Sequence, residues 1–284
     1  MAMARSVGEG IRWQNVNARL SRVRFKIGGY VKAWTQGVQY AYRYARHKFD
    51  AFQAFGSNGA NGAGLLPHAV VRPLATYAPW RSDGEFQAAY ELIRSNTLVD
   101  FYRCYDLWQL VAEAGKLAGG DILEIGVWRG GTGCLMARRA KLTGAGATVY
   151  LCDTFQGVVK AGSSDRHYAG GEHSDTSEAV VADLAQGMGL DNIEILRGTF
   201  PEQTGHLVAN ATFRLCHIDV DVYESGREIL AWVWPRLVRG GIAVFDDYGF
   251  LSTGGITRLV NEERGQADRL MLHNLNGHAV FIKL

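Results

Sequence analysis

Two short stretches concentrate carboxylates: HIDVDVYES at 217–225 carries Asp219 and Asp221, and FDDYG at 245–249 carries Asp246 and Asp247. Each closes an apolar run that reads as a strand, so four acids meet in one crevice if the strands are neighbours. In a cleft of low dielectric such groups repel and raise one another's pKa unless a cation is present, so the arrangement points to a metal. Ligation by oxygen alone selects a hard ion, Mg²⁺ with Mn²⁺ or Ca²⁺ as substitutes, over zinc or copper. The same residues could serve as helix caps and turns. Their place at the ends of two successive strands favours the metal.

A second constellation lies upstream. Glu124-Ile125-Gly126-Val127-Trp128-Arg129-Gly130-Gly131-Thr132-Gly133 sits where a strand turns into a helix, and glycines there let the backbone approach a ligand closely. The spacing G-x-x-x-G-G-x-G differs from the G-x-G-x-x-G of loops that meet a diphosphate. That favours a cofactor without phosphate. The next strand ends at Asp153, where a carboxylate can accept both hydroxyls of a ribose. S-adenosylmethionine has a ribose and no phosphate. Taken singly, the turn reads equally as a tight turn and Asp153 as a cap.

The elements that must position these groups follow from apolar periodicity. Helices are predicted near 84–94 and 98–117, and strands at 121–126, 148–152, 192–196, 213–220, 241–246, 269–273 and 278–284. The first five strands are separated by crossover lengths and so pair in parallel, whereas NLNG between the last two makes a hairpin. A parallel sheet ending in an antiparallel hairpin is the layout of class I methyltransferases, an α/β Rossmann-like fold. Other doubly wound folds share most of it.

Charge is unevenly placed along the 284 residues: the net +2 divides into +8 over residues 1–50 and −6 over the rest. The mildly acidic body argues against nucleic acid as a partner. Residues 11–55 interleave the basic groups with Trp13, Leu20, Ile27, Val31, Trp34 and Tyr42, which predicts a basic amphipathic helical extension, and GSNGANGAG at 56–64 reads as a linker. We therefore expect an arm and linker at 1–60, helical cap elements at 61–118 and a catalytic core at 119–284. The arm suits packing on the body or on a second subunit, as in a homo-oligomer, or peripheral contact with an anionic membrane. No run approaches the ~18 apolar residues of a membrane span, and no apolar segment follows the first basic residue as in a secretory signal, so the expected location is cytoplasmic. Cys104, Cys134, Cys152 and Cys216 lack the spacing of a zinc site and read as reduced, buried thiols.

Six segments in order, PWRSDGEF (79–86), TLVDFYRCYDLWQL (97–110), EIGVWRGG (124–131), DTFQG (153–157), IDVDVYES (218–225) and FDDYG (245–249), resemble the macrocin O-methyltransferase (TylF-like) family from about residue 79 onward. The resemblance implies Mg²⁺-dependent methyl transfer from S-adenosylmethionine to a hydroxyl of a sugar or glycosylated small molecule. By position it implies Asp219, Asp246 and Asp247 as metal ligands and Asp221 as general base. Glu124, Gly126, Trp128, Arg129, Gly130, Gly131, Asp153, Thr154, Gly198 and Asp219 are implied around the cofactor. DTFQG has Thr where the family usually has Ser, and VVKAGSSDRHYAGGEH (158–173) replaces the usual Leu-Pro continuation with a lid-like segment. His167 and His173 in that segment, and His273 in the sixth strand, could assist proton transfer.

The expected chemistry is direct displacement at the methyl, with a vicinal diol as acceptor. A catechol acceptor, a non-catalytic binding protein of the same fold and a nicotinamide dehydrogenase are the rivals, the last opposed by the glycine spacing. A chain lacking residues 1–60 is expected to fold and to bind S-adenosylhomocysteine, checked by melting and calorimetry. An insoluble product would make the arm part of the core.

Overall fold

The computed structural model describes residues 75–284 except Ala145, so the arm and linker expected at 1–60 lie outside the described residues. Five apolar segments form parallel strands: β1 Asp121–Ile125, β2 Val149–Asp153, β3 Ile193–Arg197, β4 Phe213–Ile218 and β5 Leu237–Phe245. β6 Arg269–His273 and β7 Ala279–Lys283 make the antiparallel hairpin, with β7 inserted beside β5. The order is β3-β2-β1-β4-β5-β7-β6. Parallel neighbours bring the carboxyl ends of β1, β2, β4 and β5 to one edge, where the glycine loop, Asp153 and both acid pairs emerge.

The strands run close to the expected bounds, with two informative differences. β5 begins at Leu237, four residues before its expected start, because Gly240 at φ +78° absorbs a register shift between Phe213 and Leu215 of β4. The glycines that looked like a strand start are a bulge inside it. β4 stops at Ile218, short of the expected 220, because the chain must turn outward to present two aspartates, and Asp221 sits at φ +62°.

Side chains bury both faces of the sheet. Phe213, Cys216, Phe245 and Phe281 pack with Ile229 and Val233 of α5 (Tyr223–Val233) and Leu259 of α6 (Gly254–Glu263). Ile122, Val149, Leu215 and Val244 pack on the other side with Leu107 and Val111 of α2 (Phe101–Ala114) and Met136 of α3 (Gly131–Thr143). Sheets covered on both faces read as continuous apolar runs, as these strands do. α4 (Glu178–Gly187) completes the crossover to β3, and its N-cap Ser177 accepts from the Val180 N–H. Ahead of β1, α1 (Gly84–Ile93) buries Phe86 and Ile93 against Trp108, Cys104 and Leu135, which attaches the cap helices to α3.

The four cysteines are free and buried. Burial pushes the Cys134 thiol up to about 12 and holds those of Cys104, Cys152 and Cys216 well above the ordinary thiol range. Because the thiolate is the nucleophile, none is poised to react at neutral pH. A disulfide-exchange dye is expected to detect no native thiol and all four in denaturant. A fast native equivalent would show that one of these strands or helices opens.

Candidate active site at the strand carboxyl ends

The turn after β1 is shaped first by the protein around it. Gly126 lies at φ +87°, and a Cβ there would overlap the carbonyl oxygen of Asp219. A Cβ on Gly130 would meet Val181 at 2.8 Å, and one on Gly131 would meet the Asn96 carbonyl oxygen at 2.6 Å. The requirement for glycine at 126, 130 and 131 therefore has a source in the protein itself: the continuation of β4, α4 and the cap. Asp153 is likewise engaged: its Oδ2 accepts from the Val127 and Trp128 N–H groups at 2.8 Å each, and its Oδ1 from Phe155 N–H at 2.6 Å. It fastens the β1 and β2 turns together, and its remaining lone pairs are what a ribose could use.

Other residues expected around the cofactor also have partners within the protein. Glu124 is fully buried, with Oε1 2.9 Å from His217 Nδ1 between paired strands β1 and β4, so it offers no exposed atom. Thr154 closes its own turn, donating to the Gly157 carbonyl at 3.1 Å. Arg129 stacks over Trp128 at 4.5 Å, and both side chains bond the Asp175 carboxylate at 2.9 Å. Thr176 also donates to the Trp128 carbonyl. Gly198, at φ +144°, donates its N–H to the Asp153 carbonyl at 2.9 Å and lines a cavity of about 260 Å³ with Thr154, Gln156, Arg197, Thr199 and Gln203.

The acid pairs do converge. Asp247 (φ +63°) and Asp221 share the left-handed conformation, which Asp tolerates better than most residues but which still costs of order 1 kcal/mol or more. Loss of solvent, then repulsion from Asp246, Asp247 and Asp221, pushes the Asp219 carboxyl well above the usual range. Asp247 is raised in the same way, by burial, Asp246 and Asp221. Asp246 behaves oppositely: burial alone would raise it, but the Arg103 guanidinium beside it, with His278, holds it well below the usual range.

Arg103 had no role in the sequence reading. Asp100 caps α2 through the Tyr102 and Arg103 N–H groups, and its Oδ2 takes Arg103 Nε at 2.8 Å, which aims the guanidinium at β5. Nη1 then bonds Asp246 and lies 3.7 Å from Asp247. Its signal was present as one arginine inside an otherwise core-facing helix stretch. Tyr168 was also missed: its hydroxyl donates to Asp221 Oδ1 at 2.6 Å. The 158–173 segment that carries it is pinned by Asp165, which accepts from Tyr223 N–H and Gly162 N–H at 3.0 Å each, and by Lys160 paired with Glu202 and Glu228. His167 and His273 are exposed and His173 half-buried; none hydrogen-bonds the four carboxylates.

A seven-stranded sheet with β7 antiparallel between β5 and β6, a glycine turn after β1 and an acid at the end of β2 define a class I methyltransferase fold. The macrocin-O-methyltransferase (TylF) family profile matches residues 81–281, and the chain belongs to that family. It is similar to the 8-demethyl-8-(2,3-dimethoxy-alpha-L-rhamnosyl)-tetracenomycin-C 4'-O-methyltransferase of Streptomyces olivaceus, 35% identical over 45% of this chain and 53% of the relative. Mycinamicin III 3''-O-methyltransferase of Micromonospora griseorubida is 32% identical over 54% of this chain and 65% of the relative. The chain thus spans between half and two thirds of the length of these curated relatives. Among solved structures, the O-methyltransferase NovP superposes with a TM-score of 0.58 at 24% identity, covering 66% of this chain and 82% of NovP. The calicheamicin methyltransferase CalS11 gives 0.55 at 16% identity over 76% of this chain and 98% of CalS11. At these identities the structures speak for the fold. No helix among the described residues is long and apolar enough to cross a membrane.

Gly126→Ala is expected to cost about 3 kcal/mol or more, since it combines a left-handed backbone with a clash against β4's continuation. The check is a urea titration. An unchanged midpoint would show that the β1 and β4 ends are not held this close.

Proposed function

We propose that this chain is an S-adenosylmethionine-dependent, Mg²⁺-dependent O-methyltransferase acting on a sugar hydroxyl of a glycosylated small molecule. One observation carries the reading: in a TylF-family chain, Asp219, Asp221, Asp246 and Asp247 meet at the ends of adjacent strands beside the glycine turn and Asp153. Two curated relatives have names that place the methyl on a sugar-bearing natural product.

The residues present fit both groups the reading requires. Asp219 and Asp247 pay for their crowding with strongly raised carboxyls, and a hard cation on Asp219, Asp246 and Asp247 would relieve it. Such an ion would supply Lewis acidity toward the acceptor oxygen. The turn from Gly126 to Gly131, Asp153 and the cavity at Gly198 would hold the nucleoside of the cofactor, whose sulfonium supplies the methyl group.

The chain's own contribution is orientation and proton transfer. Asp221 is held by its backbone turn and by Tyr168 on Oδ1, and would take the acceptor's hydroxyl proton. Arg103 keeps Asp246 ionised beside it. The pinned 158–173 segment, which reaches Asp221 through Tyr168, would help to keep water from the acceptor. The arm at 1–60, by its composition, would serve a subunit or membrane contact.

The test is transfer of labelled methyl from S-adenosylmethionine to a panel of nucleotide-sugars, glycosides and catechols, with and without Mg²⁺. Label in a sugar-bearing acceptor only with the cation is expected, and Asp221→Asn should lose ~10²–10⁴-fold while still binding S-adenosylhomocysteine. Label confined to catechols, or full activity after chelation, would overturn the acceptor or the metal respectively.

A further inference from the structure

Beneath the carboxylate cluster, the inner face of the sheet holds a group of donors that methyl transfer leaves without a task. Strand register sets Glu124 of β1 beside His217 of β4, and His278 enters β7 on the far side of β5. One ring nitrogen each of His217 and His278 and one carboxylate oxygen of Asp246 lie within 4.8 Å of one another. His278 Nε2 is 3.4 Å from Asp246 Oδ1. The three residues are 0%, 0% and 2% exposed.

The two rings are prepared alike. His217 Nδ1 lies 2.9 Å from Glu124 Oε1, and His278 Nδ1 lies 2.7 Å from Asp106 Oδ2, which also takes Asn274 Nδ2 at 2.9 Å. With the proton on Nδ1 each Nε2 is a lone-pair donor; His217 Nε2 has no partner among the described residues, and His278 Nε2 makes no well-aligned hydrogen bond, its neighbour being Asp246 Oδ1 at 3.4 Å. Buried polar atoms are normally satisfied, so two orphans aimed into one dry interior call for a ligand. A carboxylate behind each imidazole is how metal-ligating histidines are commonly oriented.

We propose that His217, His278 and Asp246 bind one borderline divalent transition-metal ion of the Zn²⁺ or Co²⁺ kind, separate from the hard cation of the all-oxygen set, with Asp246 a ligand common to both. Two imidazoles with one carboxylate select such an ion over Mg²⁺. Charge is compatible: Glu124, Asp106 and Asp246, with Asp100 and Asp247 sharing Arg103, leave negative charge that a dication would reduce. Asp106 and Asp246 favour the charged form of His278, whose proton the metal would replace; protonating both imidazoles would reduce the charge further. It would, however, leave a buried N–H without an acceptor on His217 and set two cations with ring centroids 5.9 Å apart. Closed in by protein, the ion is structural: it ties the ends of β4 and β5 to the start of β7 and fixes Asp246 from below. The site stands whether or not the chain transfers methyl groups.

The test uses the full chain stripped by chelation and titrated with Co²⁺, read by visible d–d absorption, with Zn²⁺ as competitor. The expected result is one equivalent of Co²⁺, displaced by Zn²⁺, with imidazole ligands in the X-ray absorption spectrum, and bands retained when Asp219→Asn and Asp247→Asn remove the oxygen set. His217→Gln and His278→Gln should abolish the bands, and Glu124→Gln should weaken binding by ~10–100-fold. If a histidine variant fails to fold, the wild-type X-ray absorption decides alone. No stoichiometric Co²⁺, an oxygen-only spectrum, or binding lost with Asp219 and Asp247 but indifferent to the histidines would overturn the proposal.

Discussion

Four carboxylates at the ends of β4 and β5 repel one another, and much of the surrounding structure answers that repulsion. Asp219 and Asp247 cannot both ionise comfortably, whereas Asp246 remains an anion because Arg103 meets it from α2. The arginine can do so because Asp100 both caps the helix and grips Nε. A helix that looks like a simple cap over the sheet thus delivers the one guanidinium bonded to the cluster among the described residues. Partial compensation of this kind leaves a folded site that still gains from a cation, which is the condition a dissociable metal requires.

The opposite side of the edge is organised by backbone. Asp153 ties the β1 turn to β2 through three amide hydrogens, and Gly126 lets the β1 end lie against the carbonyl of Asp219. The glycine turn and the acidic pair are therefore coupled mechanically: displacing one turn moves the next. Asp175 adds a link from Trp128 and Arg129 to the segment that carries Tyr168, which reaches Asp221. One continuous stretch, 158–177, touches both halves of the edge. Residues 158–173 of it are also where the sequence departs from the resemblance.

Much of this was legible in one dimension. Strand and helix identity followed from apolar runs and cap residues, because covered parallel strands and amphipathic helices write their burial into periodicity. The acidic pairs were visible because two carboxylates at a strand end are costly without a purpose, and the glycine turn because only glycine adopts its φ without strain.

What the sequence could not supply was the partner of each group, since partners come from distant positions. Arg103 and Asp246 are separated by 143 residues, Glu124 and His217 by 93, and Tyr168 and Asp221 by 53. Spacing can show that a glycine or an acid is required. Only the folded sheet decided that Gly126 yields to the Asp219 carbonyl, that Asp153 fastens two turns, and that Glu124 turns inward to a histidine. The physical reason is that backbone preference and burial period are local properties of the chain. Electrostatic pairing and close approach depend on which strand ends the crossovers bring side by side, and that is settled in three dimensions.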